Sequence, residues 1–309
     1  MTDKKRRGLR QRLAAGEFIA APGVFDLISA RIADRLEFPA LYMTGYGVVA
    51  SSLGLPDAGL AGYSEMVERV GRIASATRTP LIADADTGYG GLLNVDHTVR
   101  GYEQAGASGI QLEDQVSPKK CGHTPGRRVI PCGEMVSKIK VALAARESED
   151  FLIIARTDAR TGYGLPDAIG RGQAFADAGA DIVFVEAPET VDEMVEIGRS
   201  IDKPLLANIV VGGSTPLLSV NELADIGYQL AIFPGTAFLA MGAAVESVYT
   251  HIRSTGSTAG LDTALYDFQA FNCLMGFEKV WAFEETWQTR DRKRIWIADG
   301  KPDIDLPQH

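Results

Sequence analysis

Cys121 stands in the segment GIQLEDQVSPKKCGH (109–123), after Lys119 and Lys120 and before the pair Gly122–His123. Positive charge around a thiol lowers its pKa and makes it a ready proton donor or acceptor near neutral pH. Glycine at 122 lets backbone or ligand come close. The same segment opens with an apolar run, Ile110 and Leu112, that ends in two carboxylates, Glu113 and Asp114. A cysteine in a polar loop after a carboxylate-bearing strand reads as chemistry. Cys132 and Cys273 read instead as small buried hydrophobes, the usual state of an intracellular cysteine.

A second acidic group lies in DADTGYGG (84–91). Asp84 and Asp86 are two residues apart at the end of an apolar run, so their side chains point the same way. Hard oxygen ligands of this kind suit Mg²⁺, with Mn²⁺ as a substitute, although a DxD pair alone is equally compatible with a turn. The loop lacks the Lys–Ser/Thr ending of a phosphate loop. Thr44, Gly45 and Tyr46 open TGYG (44–47), a turn that aims successive N–H groups at a carboxylate. Tyr42 or Tyr46 adds a hydroxyl there, and Tyr42 suits core packing equally well. Asp57 follows Pro56 in a loop, where a plain turn role is the alternative. Arg156 sits in an apolar segment and is costly to bury unpaired, so it meets a substrate carboxylate or a partner such as Glu186. Of the four histidines only His123 has a site-like context.

These residues need elements that bring them together. Short apolar runs at 18–21, 40–44, 80–84, 109–113, 151–156, 181–186, 204–208 and 229–233 alternate with periodic segments at 64–78, 94–105, 133–146, 165–178, 189–200 and 219–226. The first set reads as strands and the second as helices. Near-continuously apolar strands imply a parallel sheet covered on both faces, and eight such units predict an α/β fold of the (β/α)₈ TIM-barrel type. The strands end in Thr44, Asp84, Glu113, Arg156, Glu186 and Asn208, the residues a barrel enzyme needs at its mouth. The expected organisation is a catalytic barrel over 1–255 and a helical extension over 256–309.

The bulk properties agree with a soluble metabolic enzyme. The chain has 309 residues, 46% of them hydrophobic, and a net charge of −9. That charge argues against nucleic acid as a partner, while a local field in a pocket still permits an anionic substrate. No apolar run reaches ~18 residues, so no membrane span or membrane partner is expected. The basic start MTDKKRRGLRQRL lacks an apolar core and does not read as a secretory signal. Three scattered cysteines form no disulfide framework and suit the cytoplasm.

The motifs TGYG, SLGLPD, DADTGYGG, LEDQ, KKCGH, ARTDA, FVEAP, LAN and GGSTPL follow one another from residue 44 to 217, and over residues 10–285 the chain resembles the isocitrate lyase and phosphoenolpyruvate mutase superfamily on its lyase side. The resemblance implies that Asp84 and Asp86 serve a Mg²⁺ site, with Glu113 in its outer shell. It implies that Thr44, Gly45 and Tyr46 hold a 2-oxo acid carboxylate and that Arg156 sits on the substrate. Cys121 would donate the proton to the departing carbanion, with His123, Glu186 and Asn208 in support and Asp57, Lys120 and Gly122 beside the substrate. Tyr42 is a candidate for the base that takes the hydroxyl proton.

The implied reaction is retro-aldol cleavage of a small 2-hydroxy acid with two or three carboxylates. The segment NIVVGGSTPLL (208–218) carries Val210 and Val211 where methylisocitrate lyases carry more polar groups. The expected substrate is therefore 2,3-dimethylmalate or a related alkylmalate, with 2-methylisocitrate as the alternative. Phosphonate chemistry, against which KKCGH argues, and a silent metabolite-binding barrel are the remaining readings. Residues 262–287 are rich in exposed-type aromatics at helical spacing. By resemblance they would pack on a neighbouring subunit in a homotetramer, a dimer of dimers with a terminal helix exchanged.

Overall fold

Alternation of side chains along each strand builds the barrel interior. Ile19 and Ala21, Ile82, Leu152 and Ile154, Ile182 and Phe184, Leu206, and Leu230 and Ile232 form one buried cluster. Their neighbours in sequence, such as Ala83, Ile153, Val183 and Ala231, belong to a second cluster shared with the helices. One face of each strand fills the barrel and the other packs outward, as the period of two requires.

The computed structural model describes residues 2–122, 124 and 126–287. Strands β1 (Ile19–Val24), β2 (Leu41–Met43), β3 (Leu81–Asp84), β4 (Gly109–Glu113), β5 (Leu152–Thr157), β6 (Ile182–Val185), β7 (Leu205–Asn208) and β8 (Leu230–Phe233) pair in chain order. Every pairing is parallel, and β8 closes on β1 with Ile19 opposite Leu230. The fold is a (β/α)₈ barrel of the TIM type.

Helix α1 (Thr2–Ala14) precedes β1, and α2 (Leu27–Arg35) leads to β2. Between β2 and β3 lie α3 (Gly45–Leu53) and α4 (Tyr63–Ala76), then α5 (Leu92–Gln104) before β4 and α6 (Cys132–Ala145) before β5. The next connections carry α7 (Ala159–Tyr163) with α8 (Leu165–Asp177), then α9 (Val191–Ser200), then α10 (Val220–Asp225). Helix α11 (Thr236–Thr255) follows β8. The chain divides into two compact units at Leu261/Asp262, and the second holds α12 (Phe268–Met275) and α13 (Phe277–Trp287).

Helix α1 places Leu9 and Leu13 in the barrel-interior cluster. Its Arg6 donates from Nε to the Ala107 carbonyl at 2.9 Å, satisfying a buried acceptor at the turn into β4. Among the described residues no helix is long and apolar enough to cross a membrane. Two cysteine expectations change. Cys132 is only half-buried as the first residue of α6, and Cys273 is exposed on α12.

Candidate active site

The inward stripe of each strand continues past its apolar core into a functional residue. Tyr42 leads to Thr44, Ile82 to Asp84, Ile154 to Arg156, Phe184 to Glu186, and Leu206 to Asn208, each two residues on. Sheet register then sets neighbours side by side, with Asp84 opposite Gln111 and Glu113 opposite Arg156. Tyr42, Thr44, Asp84, Glu113, Arg156 and Asn208 line one cavity of about 240 Å³, together with Tyr46, Asp57, Lys119, Lys120, Cys121 and Gly122.

Asp84 is held by three donors at the mouth. One of its oxygens accepts the Asp86 N–H at 3.0 Å and Gln111 Nε2 at 3.4 Å. The other accepts the Gly45 N–H at 3.3 Å, in the first turn of α3, where the helix dipole favours negative charge. A Cβ on Gly45 would stand 2.7 Å from Asp84 Oδ2, so glycine is required for that approach. TGYG is therefore no isolated turn. Thr44 is the N-cap, its hydroxyl accepting the Gly47 N–H at 3.4 Å, and the next residues begin a helix. Tyr42 donates to Gln111 Oε1 at 2.8 Å. Burial, and then the charge of Asp84, raise its pKa well above the ordinary value, so it holds its proton as a donor.

Asp57 is no loose turn residue. Lys119 Nζ lies 2.5 Å from Asp57 and 2.6 Å from Asp86, with all three side chains buried. Burial alone would discharge the ammonium, but Asp86, Glu113, Asp84 and Asp57 outweigh it and raise its pKa. Asp86 itself is pushed up to about 6 by burial, against the pull of Lys119 and with Asp84 and Asp57 adding to the rise. It also adopts a left-handed backbone, φ 49°, as does Ala187 beside Glu186 at φ 58°. Such strain at strand ends is found where the surroundings over-determine a site.

Glu113 is buried, and burial raises its pKa well above the ordinary carboxylate value despite Arg156. Its Oε1 has no hydrogen-bond partner among the described residues. A buried carboxylate oxygen beside Asp84 and Asp86, in an all-oxygen donor set, fits a hydrated Mg²⁺. Among the described residues no group of three or more His, Cys, Asp or Glu side chains is arranged to ligate a metal directly.

Arg156 faces three acids. Its Nε and Nη2 donate to the two oxygens of Asp158, both at 2.9 Å, in a fork geometry. Glu113 and Glu186 lie 3.5 and 3.6 Å away, and the guanidinium stands over the Phe184 ring at 5.1 Å. Asn208 Nδ2 donates to both oxygens of Glu186, at 3.3 and 3.2 Å. Asp114 anchors the turn after β5, accepting from Thr157 Oγ1 at 2.8 Å and the Asp158 N–H at 2.9 Å.

The loop between β4 and α6 brings Lys119, Lys120, Cys121, Gly122 and Thr124 to the cavity wall as a lid over this mouth. Gln115 Oε1 and Nε2 clamp the Lys120 N–H and carbonyl at 3.0 and 2.9 Å, and Gln115 bridges Val129 on the returning limb. The Cys121 N–H donates to the Asp57 carbonyl at 3.1 Å, which sets the cysteine at the cavity wall. A Cβ on Gly122 would lie 2.2 Å from Arg156 Nη2 and 2.9 Å from Glu186. His123 lies outside the described residues. Lys120 lines the cavity but is exposed, and it is Lys119 that reaches the carboxylates. Sequence reasoning missed Lys119, Gln111 and Asp158. The signals were the first lysine of KK and the two-residue step from Glu113 back to Gln111 and from Arg156 on to Asp158.

Residues 9–253 match the phosphoenolpyruvate phosphomutase family. The chain belongs to that family. It is 47% identical to 2,3-dimethylmalate lyase from Eubacterium barkeri over 91% of this chain and 97% of the relative. A 2-methylisocitrate lyase from Aeropyrum pernix is 42% identical over 87% of this chain and 86% of the relative. Among solved structures, 2,3-dimethylmalate lyase, described as a member of the PEP mutase/isocitrate lyase superfamily, superposes with a TM-score of 0.84 at 33% identity, covering 98% of each chain. Phosphonopyruvate hydrolase in complex with oxalate and Mg²⁺ superposes with a TM-score of 0.83 at 32% identity, covering 92% of this chain and 99% of that one. In this family member the cavity is lined both by ionic groups and by the apolar residues Val210, Ile232, Pro234, Phe238 and Leu239.

Proposed function

We propose that this carbon–carbon lyase uses Mg²⁺, or Mn²⁺ in its place, and cleaves 2,3-dimethylmalate or a related alkylmalate to a 2-oxo acid such as pyruvate and a carboxylic acid. The observation that carries the reading is the mixed lining of the cavity. Carboxylates and cations suited to a polar head group share its space of about 240 Å³ with the apolar residues Val210, Ile232, Pro234, Phe238 and Leu239. A third substrate carboxylate would have to lie against Val210, Phe238 or Leu239 and lose its hydration, which disfavours 2-methylisocitrate as the first choice. The latter is the second reading, supported by the relative from Aeropyrum pernix.

Asp84 and Asp86 would hold the metal, with Glu113 accepting from its waters. When bound, Mg²⁺ supplies Lewis-acid polarisation of the C2 oxygen and the neighbouring carboxylate. The start of α3, with Thr44, Gly45 and Tyr46, receives the carboxylate that becomes part of the 2-oxo acid. Arg156, held flat by Asp158, faces the second carboxylate, with Glu186 and Asn208 fixing its far side. The C2 hydroxyl loses its proton, the C2–C3 bond breaks, and its electron pair stays on C3 as an enolate. The cations at the mouth stabilise that charge. Cys121 then gives its Sγ proton to C3, which completes the carboxylic acid. Lys120 would support the thiol, with His123 as a further supporting group by resemblance, and Gly122 lets the lid seat against Arg156. Tyr42 orients Gln111 through its hydroxyl in the ligand-free site and is the candidate acceptor of the C2 hydroxyl proton, with a base at the metal as the alternative.

The enzyme is read as cytoplasmic and as a homotetramer built from two dimers, with 1–255 as catalytic domain and 256–309 as an extension packed on a neighbouring subunit. An assay of 2-oxo acid release from a panel of malate derivatives tests the activity. Release from 2,3-dimethylmalate, abolished by EDTA and restored by Mg²⁺, is expected. Turnover of phosphonopyruvate alone, or full activity in excess EDTA, would overturn it.

A further inference from the structure

Arg127 lies on the returning limb of the lid, yet its side chain is only 4% exposed. Arginine is seldom buried unless paired, and this one is paired three ways. Its Nη1 donates to Asp158 Oδ1 at 2.7 Å, Nη2 to Thr161 Oγ1 at 2.6 Å, and Nε to the Thr124 carbonyl at 3.2 Å. Asp158 is the same carboxylate that forks Arg156 inside the barrel, and its Oδ1 is shared between the two guanidiniums.

We propose that Arg127 is a positioning residue that latches the lid through Asp158, so that Arg156 takes its working orientation only when Cys121 and Gly122 are seated. The lid has two limbs and one tether on each. Lys119 ties the outgoing limb to Asp57 and Asp86, and Arg127 ties the returning limb to Asp158. The residues that touch the cavity lie between them. With Arg127 gone, the returning limb keeps the main-chain pairing of Val116 with Arg128 and of Ile130 with Asp114 but loses its charged anchor. Asp158 would keep Arg156 alone and gain freedom to turn with it. The catalytic meaning of the latch rests on the proposed role of Cys121, whereas the latch itself is measurable without any substrate.

The test is the rate at which iodoacetamide modifies Cys121 in the ligand-free enzyme, read by peptide mass spectrometry. Arg127→Ala should raise that rate about tenfold or more, the factor that corresponds to one charge-assisted hydrogen bond. Arg127→Lys keeps the charge but cannot serve all three acceptors, and should fall between the two. Activity on 2,3-dimethylmalate should lose kcat/KM in the same order, with the thermal midpoint unchanged. If Arg127→Ala fails to fold, the lysine variant carries the comparison. Wild-type modification rates in the folded variants would overturn the latch. So would an equal acceleration at Cys132, in the first turn of α6, because that would mean general loosening of the whole connection. Full activity in wild-type enzyme modified at Cys121 would sink the cysteine's role and leave the latch measurement standing.

Discussion

At Gly122 the closed mouth leaves no room for even a methyl group, since its Cβ would meet Arg156 and Glu186 well inside van der Waals contact. Gly122→Ala should therefore hold the lid off the barrel. We expect kcat/KM to fall by at least ~10²-fold, the penalty for small misplacement of a catalytic group, with the melting temperature within a few degrees of wild type. Cys121→Ser, which keeps the shape and changes the acid, should lower kcat by at least ~10²-fold and leave Mg²⁺ binding by calorimetry intact. Wild-type turnover in that variant would remove Cys121 from the mechanism. Cys121, Asp84, Arg156 and Glu186 were legible in the sequence because each breaks an apolar or polar context that it has no local reason to break. Lys119 was not, because two adjacent lysines look alike until Asp57 and Asp86 are known to converge on one of them. Gln111 and Asp158 were hidden for a related reason. Their roles lie in what they hold, Tyr42 and Arg156, and pairings across strands leave no local signature.

Among the elements, the strands were the easiest to read, because each is a short apolar run bounded by polar residues. The run at 109–113 coincides with β4, and those at 80–84 and 204–208 begin one residue before β3 and β7. Helices α1 and α3 were not foreseen. Helix α1 is almost wholly polar and buries only Arg6, Leu9 and Leu13, too narrow a stripe to mark a helix. Helix α3 starts on GYG, and two glycines in its first turn argue against a helix, yet Gly45 is there to let Asp84 reach the N-terminus. The turn from β5 into α7 has a measurable pH signature. Burial would raise the pKa of Asp158, but Arg156 and then Arg127 outweigh it and hold the carboxyl below its ordinary value. A depressed folded-state pKa contributes stability above the unfolded value, about 4, and loses it as the pH falls through the folded one. The stability advantage of wild type over Asp158→Asn should thus be full at pH ~6 and shrink steadily below ~4. An advantage that grew on acidification would contradict the assigned ion pairs.

On the scale of the whole molecule, apolar surface is unevenly covered. No residue of α11 is buried, although it is a 20-residue helix carrying Leu239, Met241, Val245, Tyr249 and Ile252 at its exposed positions. The second unit shows the same character by itself. Leu265, Phe268, Phe277, Trp281, Phe283 and Trp287 are exposed, and neither α12 nor α13 has a buried residue. Exposed apolar residues of this number mark an interaction surface. A chain with a net charge of −9 resists indiscriminate association, so a closed symmetric assembly is the economical way to cover them. Light scattering of the wild type should give about four times the chain mass of 33.2 kDa. Truncation before Asp262 should yield dissociated or insoluble protein, because it removes the exposed apolar residues of α12 and α13 from the assembly. Tyr249→Glu, which places a charge on the most exposed large residue of α11, should shift the assembly towards smaller species while a residual fold persists by circular dichroism. A wild-type monomer at micromolar concentration, or a truncated chain that stays soluble with the mass of the full assembly, would show that these faces are covered in another way.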